Sequence, residues 1–342
     1  MFIPAKRFTR LLVLLAAAGV TGGVVAGSSL ATRSNPSSPA VVVPAEGLAL
    51  QAAFVRAVGA VSPSVVQIED KTGLGSGIVL DSRGDIVTNN HVVTGAKVFT
   101  VTTSTGKRYT AKLVGAFAAD DLAVIRVTGG RLVPASFADS SAVEVGDLAM
   151  AVGNPLGLRS SVTLGIVSAF RQAVPEGNGV TLPSMIQTSA AINPGNSGGA
   201  LADIQGRVIG IPTLAATDPE IGGSAPGIGF AIPSNLVKDI AGQIVRYGKV
   251  VNSHRAYLGV SVGDTGSGIV VISEPASGPA ARAGIGVGDL IVSVDGHATT
   301  STAVLSQVLA ELKPGAIVPV VVETQLGRKG TVHVTLGTYP SS

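Results

Sequence analysis

The sequence contains no cysteine, and only 13% of its 342 residues are charged. Without cysteine, disulfide bonds and thiolate metal sites are excluded, and any nucleophile must be an oxygen or a nitrogen atom. A domain of this size can be stable without disulfide bonds, because larger chains bury a greater share of their surface. Glycine (45 residues), proline (19) and a hydrophobic content of 46% are typical of a loop-rich β protein.

Acidic residues are absent from the amino terminus as far as Glu46. The basic residues of that stretch are Lys6, Arg7, Arg10 and Arg33. Without residues 1–33 the chain has 20 basic and 21 acidic residues, so the sequence pI of 9.3 does not describe the folded part. A nearly neutral folded part argues against a nucleic-acid partner.

Charged residues are also absent between Leu11 and Ala31, a length of about 20 residues that suffices to span a bilayer. We predict that residues 1–32 are a signal peptide or an uncleaved membrane anchor, followed by a flexible Pro- and Ser-rich linker over 33–47. In both cases the basic flank stays in the cytoplasm. The rest is then exported, either anchored to the cell membrane and facing outward or released as a periplasmic or extracellular protein.

From residue 64 onward, short runs of alternating apolar residues are separated by turns such as Asp81–Gly84. This spacing predicts a closed antiparallel barrel or sandwich rather than βαβ units. The first long helix is predicted with Pro233 and Ser234 at its start and Gly248 after its end. Because the composition changes after it, we predict one domain over 48–248 and a smaller one over 249–342.

Ser197 lies among glycines in "NPGNSGGAL". The segment fits G-x-S-x-G, the nucleophile elbow of α/β-hydrolases, but that fold requires a helix after the serine and a catalytic histidine later in the chain. The following residues read as strand, turn and strand instead. His91 and Asp121, each beside a predicted strand, precede Ser197 in the order of a chymotrypsin-type triad. The three residues together favour a serine protease over a structural interpretation of each one.

The chain resembles the HtrA/Deg-type serine proteases over roughly residues 50–340. The matching segments are "GSGIVLDSRGDIVTNNHVV", "DDLAVIRV", "AVGNPLG", "VTLGIVSAFRQ", "IQTSAAINPGNSGGAL", "GIGFAIPSN" and "YLGV". The resemblance implies a chymotrypsin-like double β-barrel followed by a small α+β PDZ domain. It implies Ser197 as nucleophile, His91 as general base and then acid, and Asp121 as the group that orients His91. Asp120, directly before it, is the alternative carboxylate.

The glycine turn predicts an oxyanion hole, because it can direct the backbone N–H groups of Gly195, Ser197 and also Asn196 toward a developing negative charge. By resemblance, Ala191 lies at the base of the S1 pocket, which then holds no carboxylate for lysine or arginine. The apolar residues assigned to this pocket are Ile192, Phe230, Ala231 and Ile232. Simple core packing of these residues is the less favoured alternative. Ser189 replaces an aspartate that many members of the family carry.

In the PDZ domain, the resemblance assigns peptide binding to "YLGV", with Tyr257 followed by a carboxylate-binding loop. The N–H groups of that loop belong to Leu258, Gly259 and Val260. A homotrimer formed through the segment around Phe54 is implied as well. We expect no cofactor and no metal.

The predicted function is that of an exported, ATP-independent serine endopeptidase that cleaves unfolded or misfolded polypeptides in protein quality control or a stress response. Its PDZ domain would bind C-terminal peptides. The alternative is a chaperone or scaffold protein in which the PDZ domain binds partners and proteolysis is weak or incidental.

Overall fold

The structure, a computed structural model, describes residues 44–70, 73–154, 161–177, 180–193, 195–218, 223–266 and 268–340. Two closed antiparallel barrels are followed by a smaller domain of two sheets and two helices, which confirms the predicted fold class. The expected signal peptide or anchor lies outside the described residues. Within the described ranges, no helix has the length and apolar character needed to cross a membrane.

Helix α1 (Ala45–Val61) precedes the first barrel. From the sequence we expected a linker up to residue 47 and no helix in this segment. Ala57 and Val61 are buried, and Phe54 and Val58 pack half-buried against the same core. This spacing of three, four and seven residues is one helical face. The rest of α1 is exposed and partly apolar, so the helical period is weak in the sequence.

The first barrel is built from six strands in the order β1-β2-β3-β6-β5-β4, with one helical turn, α2, after β3. Their bounds are β1 Val65–Glu69, β2 Leu74–Val79, β3 Asp85–Thr88, α2 Asn90–Val93, β4 Val98–Thr102, β5 Arg108–Phe117 and β6 Leu122–Val127. Alternate residues such as Val66, Ile68 and Ile125 fill its interior. The predicted turn at 81–84 joins β2 to β3, where Leu80 N–H donates to Asp85 O (2.8 Å).

The second barrel has the order β10-β11-β12-β9-β8-β7. Its strands are β7 Leu148–Gly153, β8 Ser161–Gly177, β9 Val180–Thr188, β10 Ala200–Ala202, β11 Val208–Asp218 and β12 Gly223–Pro233. A core cluster shared by both barrels includes Ile78 and Val87 from the first and Met150 and Leu182 from the second. The two barrels therefore meet through apolar side chains, and the loops at this junction lie side by side.

Helix α3 (Ser234–Tyr247) follows the second barrel with the predicted bounds. Val237, Ile240 and Ile244 are buried at helical spacing, and α3 packs against strands of both barrels. Gly248 ends the helix at φ +74°, a left-handed conformation that glycine adopts without a Cβ clash, and its N–H donates to Ile244 O (2.8 Å).

The small domain has its own core, which includes Ile269, Ile291, Val320 and Val334. Its elements are β13 Ala256–Tyr257, β14 Ser261–Thr265, β15 Gly268–Ser273, α4 Pro279–Arg282, β16 Leu290–Val294, β17 His297–Ala298, α5 Thr302–Glu311, β18 Ile317–Glu323, β19 Lys329–Thr335 and β20 Gly337–Thr338. Helix α5 packs against β8 and β9 of the second barrel. The small domain thus contacts the barrel domain directly.

Candidate active site

His91 and Asp121 are brought together at the ends of adjacent strands of the first barrel. His91 Nδ1 lies 2.9 Å from Asp121 Oδ2, and the His91 backbone N–H donates to Asp121 Oδ1 (3.0 Å). The Asp121 side chain is only 2% exposed, whereas that of His91 is 46% exposed. A buried carboxylate therefore orients a half-exposed imidazole, with Nδ1 engaged and Nε2 directed away from the carboxylate.

The backbone at Asp121 is held in an unusual conformation that places its carboxylate. Its φ is +50°, in the left-handed region that non-glycine residues rarely adopt. Its carbonyl accepts from Asn90 N–H (3.1 Å) and Asn89 Nδ2 (3.0 Å), both from the segment that carries His91. These bonds tie the two strand ends together and compensate for the local backbone strain.

Asp120 has a different partner. Its Oδ1 accepts from Arg255 Nη1 (2.8 Å), while the same guanidinium donates to Ala119 O and, through Nη2, to Thr181 O (2.7 Å). Burial raises the pKa of Asp120, and the charge of Arg255 opposes that shift. Of the two carboxylates that the sequence left open, Asp121 contacts His91 and Asp120 contacts the connection to the small domain.

Ser197 lies in the turn before β10, on the second barrel. Its Oγ donates to Thr213 O (3.1 Å), and the hydroxyl of the same Thr213 donates to Asp121 Oδ2. Thr213 therefore joins the serine of one barrel to the carboxylate of the other. No sequence motif quoted above includes Thr213. No helix follows Ser197 in the described residues up to 218, so the nucleophile-elbow interpretation is wrong.

The turn around Ser197 contains the expected oxyanion residues. Gly195 has φ +104°, which a side chain would hinder, and Asn196 N–H donates to Asn193 O (3.0 Å) within the turn. Gly199 N–H in turn donates to Asn196 O (2.8 Å). Because the Asn196 N–H donates to Asn193 O, it is already engaged within the turn.

Most residues assigned to the S1 pocket are largely buried. Ile192 and Phe230 are each 8% exposed, and Ala231 and Ile232 are buried in the cores of the second barrel and the barrel junction. Ala191 is exposed, and its carbonyl accepts from Thr163 Oγ1 (2.8 Å) and Asn196 Nδ2 (3.2 Å). The segment that would form the pocket base is thus attached to β8 and to the serine turn.

Ser189 contributes to the same attachment. Its Oγ accepts from Ile166 N–H (3.0 Å), and its own N–H donates to Ile166 O (3.0 Å). The Ser189 hydroxyl therefore binds β8 of its own barrel.

The expected peptide-binding loop of the small domain borders a groove of about 400 Å³. Tyr257, Leu258, Gly259 and Val260 line one side, and helix α5 lines the other. Gly259 has φ +80°, and a Cβ there would lie 2.6 Å from Pro279 Cδ, so only glycine fits this close approach. Within the described ranges, no cluster of three or more histidine, aspartate or glutamate side chains is suited to a metal ion.

Comparison with known proteins gives two domain matches. A model of the trypsin-like peptidase domain matches residues 75–211, and a PDZ domain model matches residues 256–335. Serine endoprotease DegS of Escherichia coli (strain K12) is 37% identical over 289 residues, which are 81% of this chain and 79% of DegS. Serine protease PepD of Mycobacterium tuberculosis is 39% identical over 346 residues, 94% of this chain and 72% of PepD.

Solved structures agree with the sequence relatives. The HtrA-type protease AlgW with a decapeptide is 32% identical, with a TM-score of 0.59 over 84% of this chain and 99% of that one. A serine endoprotease from Yersinia pestis is 34% identical, with a TM-score of 0.59 over 84% and 98% of the two chains. These identities and the two-domain match show that this chain belongs to the HtrA family of trypsin-like serine endoproteases with a PDZ domain.

Proposed function

We propose that this endoprotease is exported and cleaves unfolded or misfolded polypeptides without ATP, in protein quality control or a stress response, and that His91, Asp121 and Ser197 carry the reaction. The arrangement at Thr213 supports this most directly. Its hydroxyl donates to Asp121 and its carbonyl accepts from Ser197, so one residue connects the nucleophile with the carboxylate that orients the base.

In the proposed reaction, Ser197 Oγ attacks the carbonyl carbon of the scissile peptide and its proton passes to His91 Nε2. Asp121 holds Nδ1–H, which fixes the imidazole tautomer and stabilises the imidazolium that forms. His91 then donates the proton to the leaving amine. Water, activated by the same histidine, hydrolyses the acyl-enzyme and restores Ser197.

The oxyanion of the tetrahedral intermediate would be stabilised by backbone N–H groups. We assign the N–H groups of Gly195 and Ser197 to this role, because that of Asn196 is bonded to Asn193 O. Each such donor typically contributes about 10²- to 10³-fold to kcat.

We propose cleavage after small or medium aliphatic residues such as valine, alanine, leucine or isoleucine. Ala191 provides no negative charge for a basic side chain, and Ile192 supplies an apolar wall. Discrimination among aliphatic residues is modest, since one methylene is worth roughly 1–3 kcal/mol. Mapping the cleavage sites in an unfolded protein tests this, and sites dominated by lysine or arginine would contradict it.

The groove between Tyr257–Val260 and α5 is the proposed site for C-terminal peptides. The terminal carboxylate would accept hydrogen bonds from the N–H groups of Leu258, Gly259 and Val260. The peptide would add as a strand beside β14. The decapeptide named with the AlgW structure is consistent with peptide recognition in the family.

Bound peptide would affect the protease through α3 and the Arg255 contacts, favouring the ordered oxyanion turn. Coupling of this type is typically about 1–3 kcal/mol, which is roughly 5- to 150-fold. The alternative is that the PDZ domain only tethers substrate. A chromogenic substrate too short to reach the groove distinguishes the two. If saturating C-terminal peptide binds but leaves its hydrolysis unchanged, tethering is correct.

Export and assembly are the remaining parts of the proposal. One relative, DegP of Escherichia coli (strain K12), is named a periplasmic serine endoprotease, and this chain spans about half of it. A homotrimer through the segment around Phe54 is compatible with α1, because Leu48 and Val55 are 53% and 66% exposed. Protease added to intact spheroplasts should digest both domains, and protection of both would contradict export.

Cleavage of an unfolded protein by the full chain tests the main proposal against the chaperone or scaffold alternative. The wild type should degrade a permanently unfolded protein without nucleotide and spare its folded form, whereas Ser197→Ala should leave both intact. Suppressed aggregation with no cleavage by the wild type would favour the alternative.

A further inference from the structure

Ser76 on β2 contacts the serine turn, although the reaction described above does not use its side chain. The residue is fully buried. Its N–H donates to Ser197 O (3.0 Å), and its hydroxyl donates to Gly195 O (2.5 Å). The same hydroxyl accepts from Asn154 N–H (2.8 Å) at the end of β7. A first-barrel residue thus bonds both ends of the three-residue turn that forms the oxyanion hole.

These bonds limit the motion of the turn. The Gly195 carbonyl fixes the peptide plane between Gly195 and Asn196, and the Ser197 carbonyl fixes the plane that follows the nucleophile. With both planes held, the direction of the Gly195 N–H depends on the two backbone torsions of Gly195, ψ and φ. Its φ is +104°, and glycine resists rotation about these bonds less than any other residue, so the turn depends on the bonds from Ser76 to stay in place.

The surroundings of the Gly195 carbonyl leave little room for another arrangement. A Cβ on Gly153 would lie 2.6 Å from Gly195 O, so the end of β7 packs directly against the turn. Ser76 is also linked to the histidine segment, because its carbonyl accepts from Thr88 Oγ1 (2.6 Å). Thr88 lies three residues before His91. Ser76 therefore connects the segment that carries the base with the turn that carries the nucleophile.

We infer that Ser76 is a positioning residue that holds the oxyanion hole in its reactive geometry. The inference rests on the proposed function, since it needs the turn to bind the oxyanion. Without the hydroxyl, Gly195 O and Asn154 N–H lose their partner in a buried location, and the glycine turn relaxes to satisfy them. Transition-state stabilisation is then lost, whereas substrate binding in the S1 pocket remains.

Ser76→Ala tests the inference, with Ser234→Ala as the matched control. Ser234 is also fully buried, and its Oγ donates to a backbone carbonyl, Ala138 O (2.8 Å), away from the serine turn. For Ser76→Ala we expect kcat on a chromogenic peptide to fall about 10- to 100-fold with KM nearly unchanged, because small misplacements of reacting groups have effects of this size. The Ki of a peptide aldehyde, a transition-state analogue, should rise by the same factor as kcat/KM falls. Ser234→Ala should lower Tm similarly and leave kcat unchanged.

The inference is overturned if Ser76→Ala keeps both kcat and aldehyde affinity, or if Ser234→Ala loses activity to the same extent. If Ser76→Ala does not fold, Ser76→Cys is measured in the same way, since its larger, weakly bonding thiol must displace the turn; full activity in a folded Ser76→Cys variant contradicts the inference. A failure of the proposed function gives other results: the wild type does not cleave the substrate, or Ser197→Ala is as active as the wild type.

Discussion

The two barrels contribute to the active site in different ways. In the first barrel, His91 and Asp121 are positioned by bonds within that barrel, from His91 N–H and Asn90 N–H to Asp121. In the second, Ser197 lies on a glycine turn that is held partly from outside, by Ser76 of the first barrel. The proposed base and its carboxylate are therefore held mainly within one barrel, with one further bond from Thr213 of the second, whereas the serine turn is bonded across the contact between the two.

The largest loss of kcat is expected for the three proposed catalytic residues, which come from both barrels. Ser197→Ala and His91→Ala should each lower kcat on the order of 10⁶-fold, and Asp121→Ala about 10⁴-fold, because the three residues act as a unit. Steady-state kinetics on one peptide substrate measures all three. A Ser197→Ala variant that kept a tenth of the wild-type turnover would refute the assignment of this serine.

Arg255 links the two barrels, because its guanidinium donates to Asp120 of the first barrel and to Thr181 O of the second. Arg255→Gln should destabilise the fold by about 3–5 kcal/mol, since it leaves a buried carboxylate without its charged partner. Thermal denaturation measures this. In the double variant Asp120→Asn/Arg255→Gln, much of the stability should return.

The loss in Arg255→Gln should depend on pH. Burial raises the folded pKa of Asp120 above its unfolded value, so the stability it contributes is present at low pH and is lost as pH rises through the folded pKa. Arg255 lowers that pKa, so without Arg255 the folded pKa of Asp120 is higher and more stability is lost as pH rises. The Tm deficit should therefore be larger at pH 7 than at pH 4, and an equal deficit at both would contradict this account.

Thr213→Val removes the hydrogen bond that the second barrel donates to Asp121 of the first. Valine keeps the shape and the carbonyl that accepts from Ser197 but removes the donor to Asp121. We expect kcat to fall about 10- to 100-fold, with less effect on KM, because the carboxylate is no longer held from the second barrel. The control is Thr299→Val, which removes a buried hydroxyl that donates to Ile291 O (3.0 Å) in the PDZ domain. Equal activity of the two variants would show that Thr213 has no special role.

The smallest change in stability is expected for a substitution of Asp139, which lies outside the junction. Hydrogen bonds from Ser141 and Asn235 lower the pKa of Asp139 to about 2, below its unfolded value of 3.8. Its stabilising contribution is present above the unfolded pKa and is lost as pH falls toward 2. Asp139 caps the short 3-10 helix Ser140–Ala142, because its carboxylate accepts from Ser141 N–H (2.9 Å). Asp139→Ala should therefore lower Tm by about 2 °C at pH 7. The gap to the wild type should narrow between pH 5 and pH 2.5, and a constant gap would show that the charge is not involved.

Local patterns made much of the fold predictable. The barrel strands follow alternating apolar residues, and α3 ends at Gly248 because a left-handed residue is needed there. Helix α1 was not predicted, since only Phe54, Ala57, Val58 and Val61 face the core and its other apolar residues are exposed.

The site was predictable only in part, because its remaining contacts join distant segments. Thr213 lies 92 residues from Asp121, and Ser76 lies 119 residues from Gly195, so no local pattern indicates either pair. The bond from Arg255 to Asp120, which spans 135 residues, is likewise not indicated by any local pattern. Such pairs become visible only when the packing of the barrels is known.

The proposed function depends above all on Ser197 being an activated nucleophile at the junction of the barrels. Labelling of the full chain with a fluorophosphonate, followed by mass spectrometry of the peptides, tests it most directly. We expect one labelled residue, Ser197, with no label after the protein has been heated beforehand and none in His91→Ala. Labelling at another residue, or none in a protein that cleaves peptides, would contradict it.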